Sequence, residues 1–295
     1  MSRAAIATVS GNHSQLKRRL LQGSPEGAVQ LLRSARQLGL RFLDPLDYAA
    51  RVINNQRRLP PFHLRREVGD PSIFESSGAE FLAYMRLLCD LRPGERVLDI
   101  GCGCGLMALF LEDYLDAGGC YTGIDVQAGA IDWCASNISA RRPNFSFAHL
   151  NRRSGRYNPG GEIGPLRLPF DDGAFDVMVV KSVFTHLLRD DLEQYVREIS
   201  RVLAPGGRCL ASWFLFDLAD GAPERLRTFS HGDNVCRFES EQSPETAVAY
   251  AEPYLRTLLG AHGLEIRQPV YRGRWAGEEA GLSTQDLTVI VRSDA

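Results

Sequence analysis

A glycine-rich turn between an apolar segment and a helical pattern constrains the fold of this chain more than any other feature. Residues 97–100 are rich in strand-forming residues, and Gly101, Gly103 and Gly105 follow at alternate positions before a helical pattern begins at Leu106. Glycine lets the backbone take a positive φ and approach a bound molecule closely. The pattern predicts a strand, a tight turn and a helix, with a ligand beside the turn.

Helical and strand patterns alternate along much of the chain. Helices are predicted at 79–89, 106–115, 128–138, 188–203 and 248–261, and strands at 96–100, 120–126, 145–150, 175–183, 208–216, 264–272 and 285–292. Such alternation predicts an α/β fold with a doubly wound, mostly parallel sheet of seven strands and helices on both faces. Ligands bind such sheets beyond the carboxyl ends of the strands, so the turn, Asp125 and residues 181–186 are expected to meet there.

The remaining segments suggest two domains. Short helices are predicted at 15–22, 25–38 and 47–59. These are too short and interrupted for a core of their own, so residues 1–70 are expected to form an N-terminal helical cap and residues 71–295 the catalytic domain. Residues 74–78 are a candidate lid or floor of the active site. Three segments are expected to be connections: a crossover at 63–77, a polar insertion at 151–167 and an irregular stretch at 217–247.

Composition and charge exclude several classes of function. The 295 residues carry a net charge of −2, which gives no general attraction to nucleic acid or to an anionic membrane. No signal peptide or membrane-spanning run is recognisable, so a cytoplasmic location is expected. The seven cysteines have irregular spacing, and Cys102 and Cys104 lack a second pair at zinc-ligand spacing. No metal site is therefore predicted, and the oligomeric state is left open.

Asp125 indicates what kind of ligand the glycines serve. It ends the second predicted strand, where a carboxylate can accept hydrogen bonds from the hydroxyls of an adenosine ribose. NAD and S-adenosylmethionine both contain that ribose. However, Leu106 stands where the third glycine of a dinucleotide fingerprint belongs, and Asp99 before the turn would repel a pyrophosphate and suit an ammonium group. An NAD-dependent oxidoreductase is therefore the less favoured alternative.

Four blocks carry a resemblance to a known family. They are Val97-Leu98-Asp99-Ile100-Gly101-Cys102-Gly103-Cys104-Gly105, Gly123-Ile124-Asp125, Leu168-Pro169-Phe170-Asp171-Asp172-Gly173-Ala174-Phe175-Asp176 and Arg201-Val202-Leu203-Ala204-Pro205-Gly206-Gly207. In this order and spacing they resemble the class I S-adenosylmethionine-dependent methyltransferases. The resemblance covers roughly residues 74–216 and implies a Rossmann-like methyltransferase fold with S-adenosylmethionine as cofactor and S-adenosylhomocysteine as its product.

The resemblance also implies roles for individual residues. Asp99, Gly101 and Gly103 would line the methionine half of the cofactor, Asp125 would hold the ribose, and Val126 would pack on adenine. Leu150 and Asn151 stand at the adenine edge, before the polar insertion at 151–167. The expected cofactor-binding set is Phe74, Asp99, Gly101, Cys102, Gly103, Asp125, Val126, Leu150, Asn151, Lys181 and Ser182.

Methyl transfer to an oxygen generally needs a base, and two histidines are candidate catalytic residues. His186 follows the fourth predicted strand, which faces the acceptor in this family. The alternative is a helix-start histidine whose hydrogen bonds are satisfied by the backbone. His231 lies in the irregular stretch at 217–247, where an exposed loop histidine is the plainer interpretation.

The expected reaction is transfer of a methyl group to an oxygen or nitrogen of a small molecule, of natural-product or glycan type, in secondary metabolism. A peptide or protein acceptor and a binding module without catalysis remain alternatives. Aromatic residues near the expected site could form the walls of an acceptor pocket, or they could be ordinary core packing. They are Trp213, Phe214, Phe216, Tyr271 and Trp275.

Overall fold

The computed structural model describes residues 35–36, 38–217, 226, 228–277 and 280–293. The chain divides into two compact units, Met1–Arg57 with Pro61–His63 and Arg58–Pro60 with Leu64–Ala295. The helix predicted at 15–22 and most of that at 25–38 lie outside the described residues. The division into a helical cap and a catalytic domain at residue 70 stays a prediction.

In the first unit, helix α1 spans Asp44–Ile53, with Pro45 in its first turn, where no N–H is needed. Arg51 pairs with Asp47 one turn earlier at 2.7 Å. The helix predicted at 47–59 begins earlier and ends sooner, because Asn55 takes a left-handed conformation with φ 57°.

The second unit is built around two sheets. Its strands are β1 (Arg96–Ile100), β2 (Cys120–Asp125), β3 (Phe145–His149), β4 (Phe175–Val180), β5 (Leu203–Trp213), β6 (Leu215–Phe216), β7 (His231–Gly232), β8 (Cys236–Phe238), β9 (Val248–Ala251), β10 (Leu264–Tyr271) and β11 (Asp286–Arg292). The large sheet has the order β10-β11-β5-β4-β1-β2-β3, and the small sheet has the order β6-β9-β8-β7.

Strands β1 to β5 of the large sheet are parallel, and β10 and β11 add an antiparallel edge. β1 pairs with β2 on one side and with β4 on the other, so the strand order reverses at β1. The predicted doubly wound, mostly parallel sheet of seven strands is confirmed.

Helix α2 (Phe62–Val68) begins in the first unit and ends in the second. Helices cover both faces of the large sheet. They are α3 (Phe74–Leu88), α4 (Leu106–Leu111), α5 (Ala128–Cys134), α6 (Arg189–Val202) and α7 (Glu252–Gly260). Val97 of β1 packs into one core with residues of α3, α4 and α5. Leu98 beside it packs into the opposite core with residues of α6 and α7. Alternate side chains of a strand point to opposite faces, which produces this division.

Three boundary predictions were wrong for identifiable reasons. The crossover predicted at 63–77 contains α2, and α3 already begins at Phe74, after a short turn at Pro71–Ile73 that Asp70 caps. Residues 248–251 are strand β9 rather than helix, and α7 begins after them with Pro253 in its first turn.

The region after α6 also differs from prediction. Residues 204–207, between the predicted helix at 188–203 and the predicted strand at 208–216, lie inside β5, where the pairing with β4 shifts register and Gly206 has φ 67°. The stretch 217–247, predicted to be irregular, contributes β7 and β8 to the small sheet.

Candidate active site

The glycine turn lies across the carboxyl end of β1. The turn contains three left-handed residues, Gly101, Gly103 and Gly105, with φ 79°, 52° and 80°. The N–H groups of Gly101 and Cys102 both donate to the Ile124 carbonyl, at 2.8 and 3.0 Å, which fixes the turn to β2. A Cβ on Gly101 would lie 2.2 Å from Val183 Cγ2. Both conformation and space therefore require glycine at 101.

Asp125 ends β2 and faces this turn. Its Oδ2 accepts from the Gly103 N–H at 2.8 Å, and its Oδ1 accepts from the Gln127 N–H at 2.8 Å. Burial raises the pKa of Asp125, and these N–H donors oppose that rise. A carboxylate offers about four acceptor positions, so Asp125 retains capacity for hydroxyl groups of a ligand.

Two ionisable groups of opposite sign lie at the ends of β1 and β4: Asp99, which is buried, and Lys181, which is half-buried. Burial raises the pKa of Asp99 to about 7, although Tyr121 donates to its Oδ2 at 2.7 Å. Burial also lowers the pKa of Lys181, against the opposing influence of Asp99 and Glu80. The Lys181 Nζ lies 4.8 Å from the centroid of the Phe81 ring. Among the described residues it makes no hydrogen bond or ion pair, so its charge is available to a ligand.

A polar network joins the ends of β4, β5 and β11. Ser182 has φ 58°, which is uncommon for a residue other than glycine and often marks a functional site. Its N–H donates to Ser212 Oγ at 2.8 Å. The hydroxyls of Ser182 and Ser212 both donate to Gln285 Oε1, at 2.9 and 2.7 Å. The sequence analysis did not select Ser212 or Gln285.

The predicted adenine edge lies beside Asp125. The Leu150 N–H donates to the Asp125 carbonyl at 2.9 Å, and His149 Nε2 lies 3.2 Å from the Val126 carbonyl. Asn151 is exposed and donates to Glu162 Oε1 at 3.2 Å. An open groove adjoins this edge, lined by Leu150, Asn151, Arg152, Glu162, Ile163, Gly164, Pro165, Leu166 and Arg167.

Phe74 and Cys102 occupy less open positions. Phe74 begins α3 and is 4% exposed, packed in the same core as Leu106. Residues 74–78 form the first turns of α3, and their role as a lid or floor of the active site stays a prediction. The Cys102 thiol is buried and its Sγ lies 3.7 Å from the Gly103 carbonyl oxygen. Burial raises the pKa of Cys102, which keeps it a thiol.

His186 lies in a short helical turn after β4. Its Nδ1 is 2.9 Å from the Glu245 carbonyl oxygen, so the neutral ring donates from Nδ1 and presents Nε2 as an acceptor. Burial and the positive charge of Arg156 lower the pKa of His186 to about 4. The side chain is therefore neutral at pH 7 and a weak base.

His231 occupies a different environment. It lies on β7, opposite Phe238 of β8, and the two rings stack with their centroids 5.9 Å apart. Among the described residues, the His186 side chain contacts the insertion and the turn at 244–246, and the His231 side chain contacts the small sheet. Neither contact involves the glycine turn.

The remaining predicted residues converge at one edge. Each of these residues lies at, or directly after, the carboxyl end of one of the adjacent strands β1 to β4. They are the turn, Asp99, Asp125, Val126, Leu150, Lys181 and Ser182. Within the described part of the chain, no three His, Cys, Asp or Glu side chains form a group that could hold a metal ion. No helix in that part is long and apolar enough to cross a membrane.

Comparison with known proteins agrees with this geometry. Residues 98–211 match a family described as a methyltransferase domain. The chain is 31% identical to a demethylmenaquinone methyltransferase of Thermus thermophilus over 204 residues, which cover 65% of this chain and 85% of that protein. The chain belongs to the class I S-adenosylmethionine-dependent methyltransferase family.

Other curated relatives are covered by this chain only in part. The chain is 30% identical to nocamycin O-methyltransferase of Saccharothrix syringae over 195 residues, 64% of this chain and 62% of that protein. The chain thus spans less than two thirds of that relative, and 32% and 54% of two other curated methyltransferases.

A solved structure shows the same fold over most of the chain. It is the 1,6-didemethyltoxoflavin-N1-methyltransferase of Burkholderia thailandensis, with bound 1,6-didemethyltoxoflavin and S-adenosylhomocysteine. The TM-score is 0.50 at 18% identity, and the match covers 92% of each chain.

Proposed function

We propose that this protein binds S-adenosylmethionine at the glycine turn and transfers its methyl group to an oxygen or nitrogen of a small molecule. The observation that carries the proposal is the pair of opposite charges, the buried Asp99 and the half-buried Lys181, beside a turn in which Gly101 has a positive φ and no space for a side chain.

These two groups fit the methionine end of the cofactor. That end carries an α-ammonium and an α-carboxylate, which complement a carboxylate and an unpaired ammonium of the protein. An isolated buried charge is costly, so a site holding both signs favours a zwitterionic ligand over a neutral one. Asp99 would receive the ammonium and Lys181 the carboxylate.

The other predicted residues fit the nucleoside end. The space around Gly101 has no room for a side chain, so a ligand can contact the backbone of the turn directly. Asp125 would accept the ribose hydroxyls, and Val126, Leu150 and Asn151 would border the adenine. Phe74 lies in the core that also contains residues of α4, and the backbone of Cys102 forms part of the turn.

When bound, S-adenosylmethionine would be held by Asp99, Lys181 and Asp125 and would supply an electrophilic methyl group for the acceptor. The residues of the chain align the partners and exclude water, the main demands of such a displacement. His186, held through Nδ1, can accept a hydrogen bond at Nε2 from a neutral acceptor group.

The small-molecule acceptor is supported by the relatives. Nocamycin O-methyltransferase and the toxoflavin N1-methyltransferase are named for small natural products, one methylated on oxygen and one on nitrogen. We therefore propose a role in secondary metabolism. A cytoplasmic location without a nucleic-acid or membrane partner stays a prediction from charge and composition.

Calorimetry with S-adenosylmethionine, S-adenosylhomocysteine and NADH tests the cofactor assignment. Binding of both adenosyl ligands is expected, and binding of NADH alone would overturn the assignment. Release of S-adenosylhomocysteine in the presence of small-molecule acceptors then tests catalysis. A protein that binds the adenosyl ligands but turns over with no acceptor would be a binding module.

A further inference from the structure

Gln285, at the start of β11, has an amide with a fixed orientation. Its Oε1 accepts from the hydroxyls of Ser182 and Ser212, and Ser212 Oγ in turn accepts from the Ser182 N–H. Two donors on Oε1 direct the Nε2 group away from the network. Among the described residues Nε2 has no partner, and it is not sealed from solvent. Gln285 therefore presents a free N–H donor.

An aromatic residue lies at the same end of the sheet as this donor. Asp286 pairs with Trp213, the last residue of β5. Gln285 precedes Asp286 and Phe214 follows Trp213, so both residues directly adjoin this last pair of the sheet. Phe214 is only half-buried, so part of its ring remains accessible.

Asp286 holds the aromatic wall in place. This carboxylate is fully buried and accepts from the Trp275 Nε1–H at 2.6 Å, the Leu215 N–H at 2.7 Å and the Gly273 N–H at 2.8 Å. The Trp275 ring in turn lies 5.1 Å from Phe214. Asp286 thus anchors Trp275, against which the Phe214 ring packs, while Ser182 and Ser212 anchor the amide of Gln285.

We infer that Gln285 selects the acceptor, donating from Nε2 to an oxygen beside the hydroxyl that is methylated, on a planar aromatic molecule that packs against Phe214. The inference rests on the proposed function and names the substrate class of the same site. An amide N–H cannot accept a hydrogen bond, so an ammonium or amine in that position would leave the donor unsatisfied. A flat ring matches an aromatic wall better than an aliphatic chain does.

Gln285→Glu is the sharpest test. A glutamate keeps one oxygen that accepts from the Ser182 and Ser212 hydroxyls, so the network persists. The Nε2 group is replaced by a second carboxylate oxygen, which repels the neighbouring oxygen of the substrate. Gln242→Glu is the matched control, because Gln242 is exposed, accepts from the Ser240 hydroxyl and undergoes the same charge change.

The probes are 1,2-dihydroxybenzene, 2-hydroxybenzoate and 5-hydroxy-1,4-naphthoquinone, each with an oxygen beside the reacting hydroxyl, and phenol and cyclohexanol, which lack it. Methylation is followed by S-adenosylhomocysteine release, and cofactor affinity by calorimetry. The wild type is expected to prefer the first group. In Gln285→Glu, kcat/KM for that group should fall about tenfold to a hundredfold, with phenol and S-adenosylhomocysteine affinity changed little.

The possible outcomes are distinct. Absence of S-adenosylhomocysteine binding to the wild type would overturn the proposed function itself. Cofactor binding with no preference for the first group, or with equal kcat/KM in Gln285→Glu and Gln242→Glu, would overturn the inference about Gln285 alone.

Discussion

The Gly103 N–H donates to Asp125 Oδ2 at 2.8 Å, so the acid at the end of β2 holds the glycine turn that follows β1. The same carboxylate accepts from Gln127 at the start of the next helix. Asp125 is therefore a structural part of the turn as well as the expected ribose ligand. A substitution there acts on the cofactor site through both roles.

Asp125→Ala is expected to weaken S-adenosylhomocysteine binding by about 1–3 kcal/mol, since it leaves the Gly103 N–H and the ribose hydroxyls without an acceptor. Calorimetry on the folded variant provides the measurement. Asp132→Ala, an exposed acid on α5, serves as the control and should bind like the wild type. Unchanged affinity in a folded Asp125→Ala protein would remove Asp125 from the site.

Gly101→Ala is expected to destabilise the fold by about 2–4 kcal/mol, combining left-handed strain with the clash against Val183. Thermal unfolding gives the comparison. Gly129→Ala on α5 is the matched control, because a Cβ there meets no atom within 4 Å. Alanine should be neutral or favourable by up to about 1 kcal/mol at that position.

The double variant Gly101→Ala with Val183→Ala separates the two contributions. It removes the Val183 methyl groups that lie in the path of the new Cβ but leaves the positive φ. Partial recovery relative to the two single variants is expected, and complete recovery would show that the backbone at 101 is unstrained.

The sheet and the turn were predictable because their signals are local. The alternating glycines predict the turn at 101–105. Runs of mostly apolar residues predict β1 and β4, which are buried on both faces. Asp125 was recognisable because its position follows from the end of a strand. The order of strands then brought these residues together without further information.

The residues that sequence analysis missed depend on long-range pairing. Gln285 and Ser182 are 103 positions apart in the sequence, and no local sequence pattern at Gln285 predicts their hydrogen bond. The small sheet was missed because β7 and β8 are two and three residues long, below the length at which periodicity is visible. Val248 to Ala251 form an apolar run that suits a buried strand and a helix equally well.

Asp99 should make stability depend on pH. Its pKa is raised from 3.8 to about 7 in the folded state, with Tyr121, Asp125 and Lys181 as the groups that act on it beside burial. The folded state then binds more protons than the unfolded state between these values, so stability falls as pH rises from about 4 to about 7 and changes no further above. Asp99→Asn, which keeps an acceptor for Tyr121, should flatten this slope in urea unfolding.

The same ionisation should govern cofactor binding. An ionised Asp99 attracts the methionine ammonium, so S-adenosylhomocysteine affinity should increase from about pH 6 to about pH 8 in the wild type and stay flat in Asp99→Asn. Lys181→Met tests the partner charge and should weaken binding across that range. Equal pH dependence in the wild type and Asp99→Asn would show that another group carries it.

His186 should not act as the main proton acceptor. Its pKa is lowered to about 4, chiefly by burial, so the group is neutral throughout the range in which an unperturbed histidine titrates. With cofactor held at saturation, so that the Asp99 ionisation no longer limits cofactor binding, the pH profile of kcat/KM for the acceptor should therefore show no inflection near pH 6.5 that is lost in His186→Asn. His186→Asn, whose amide can still donate to the Glu245 carbonyl, should retain turnover better than His186→Ala, which leaves that carbonyl unpaired. An inflection near pH 6.5 that disappears in His186→Asn would restore the assignment of His186 as the base. Both side chains can donate to the Glu245 carbonyl, but only the histidine can take up a proton at Nε2.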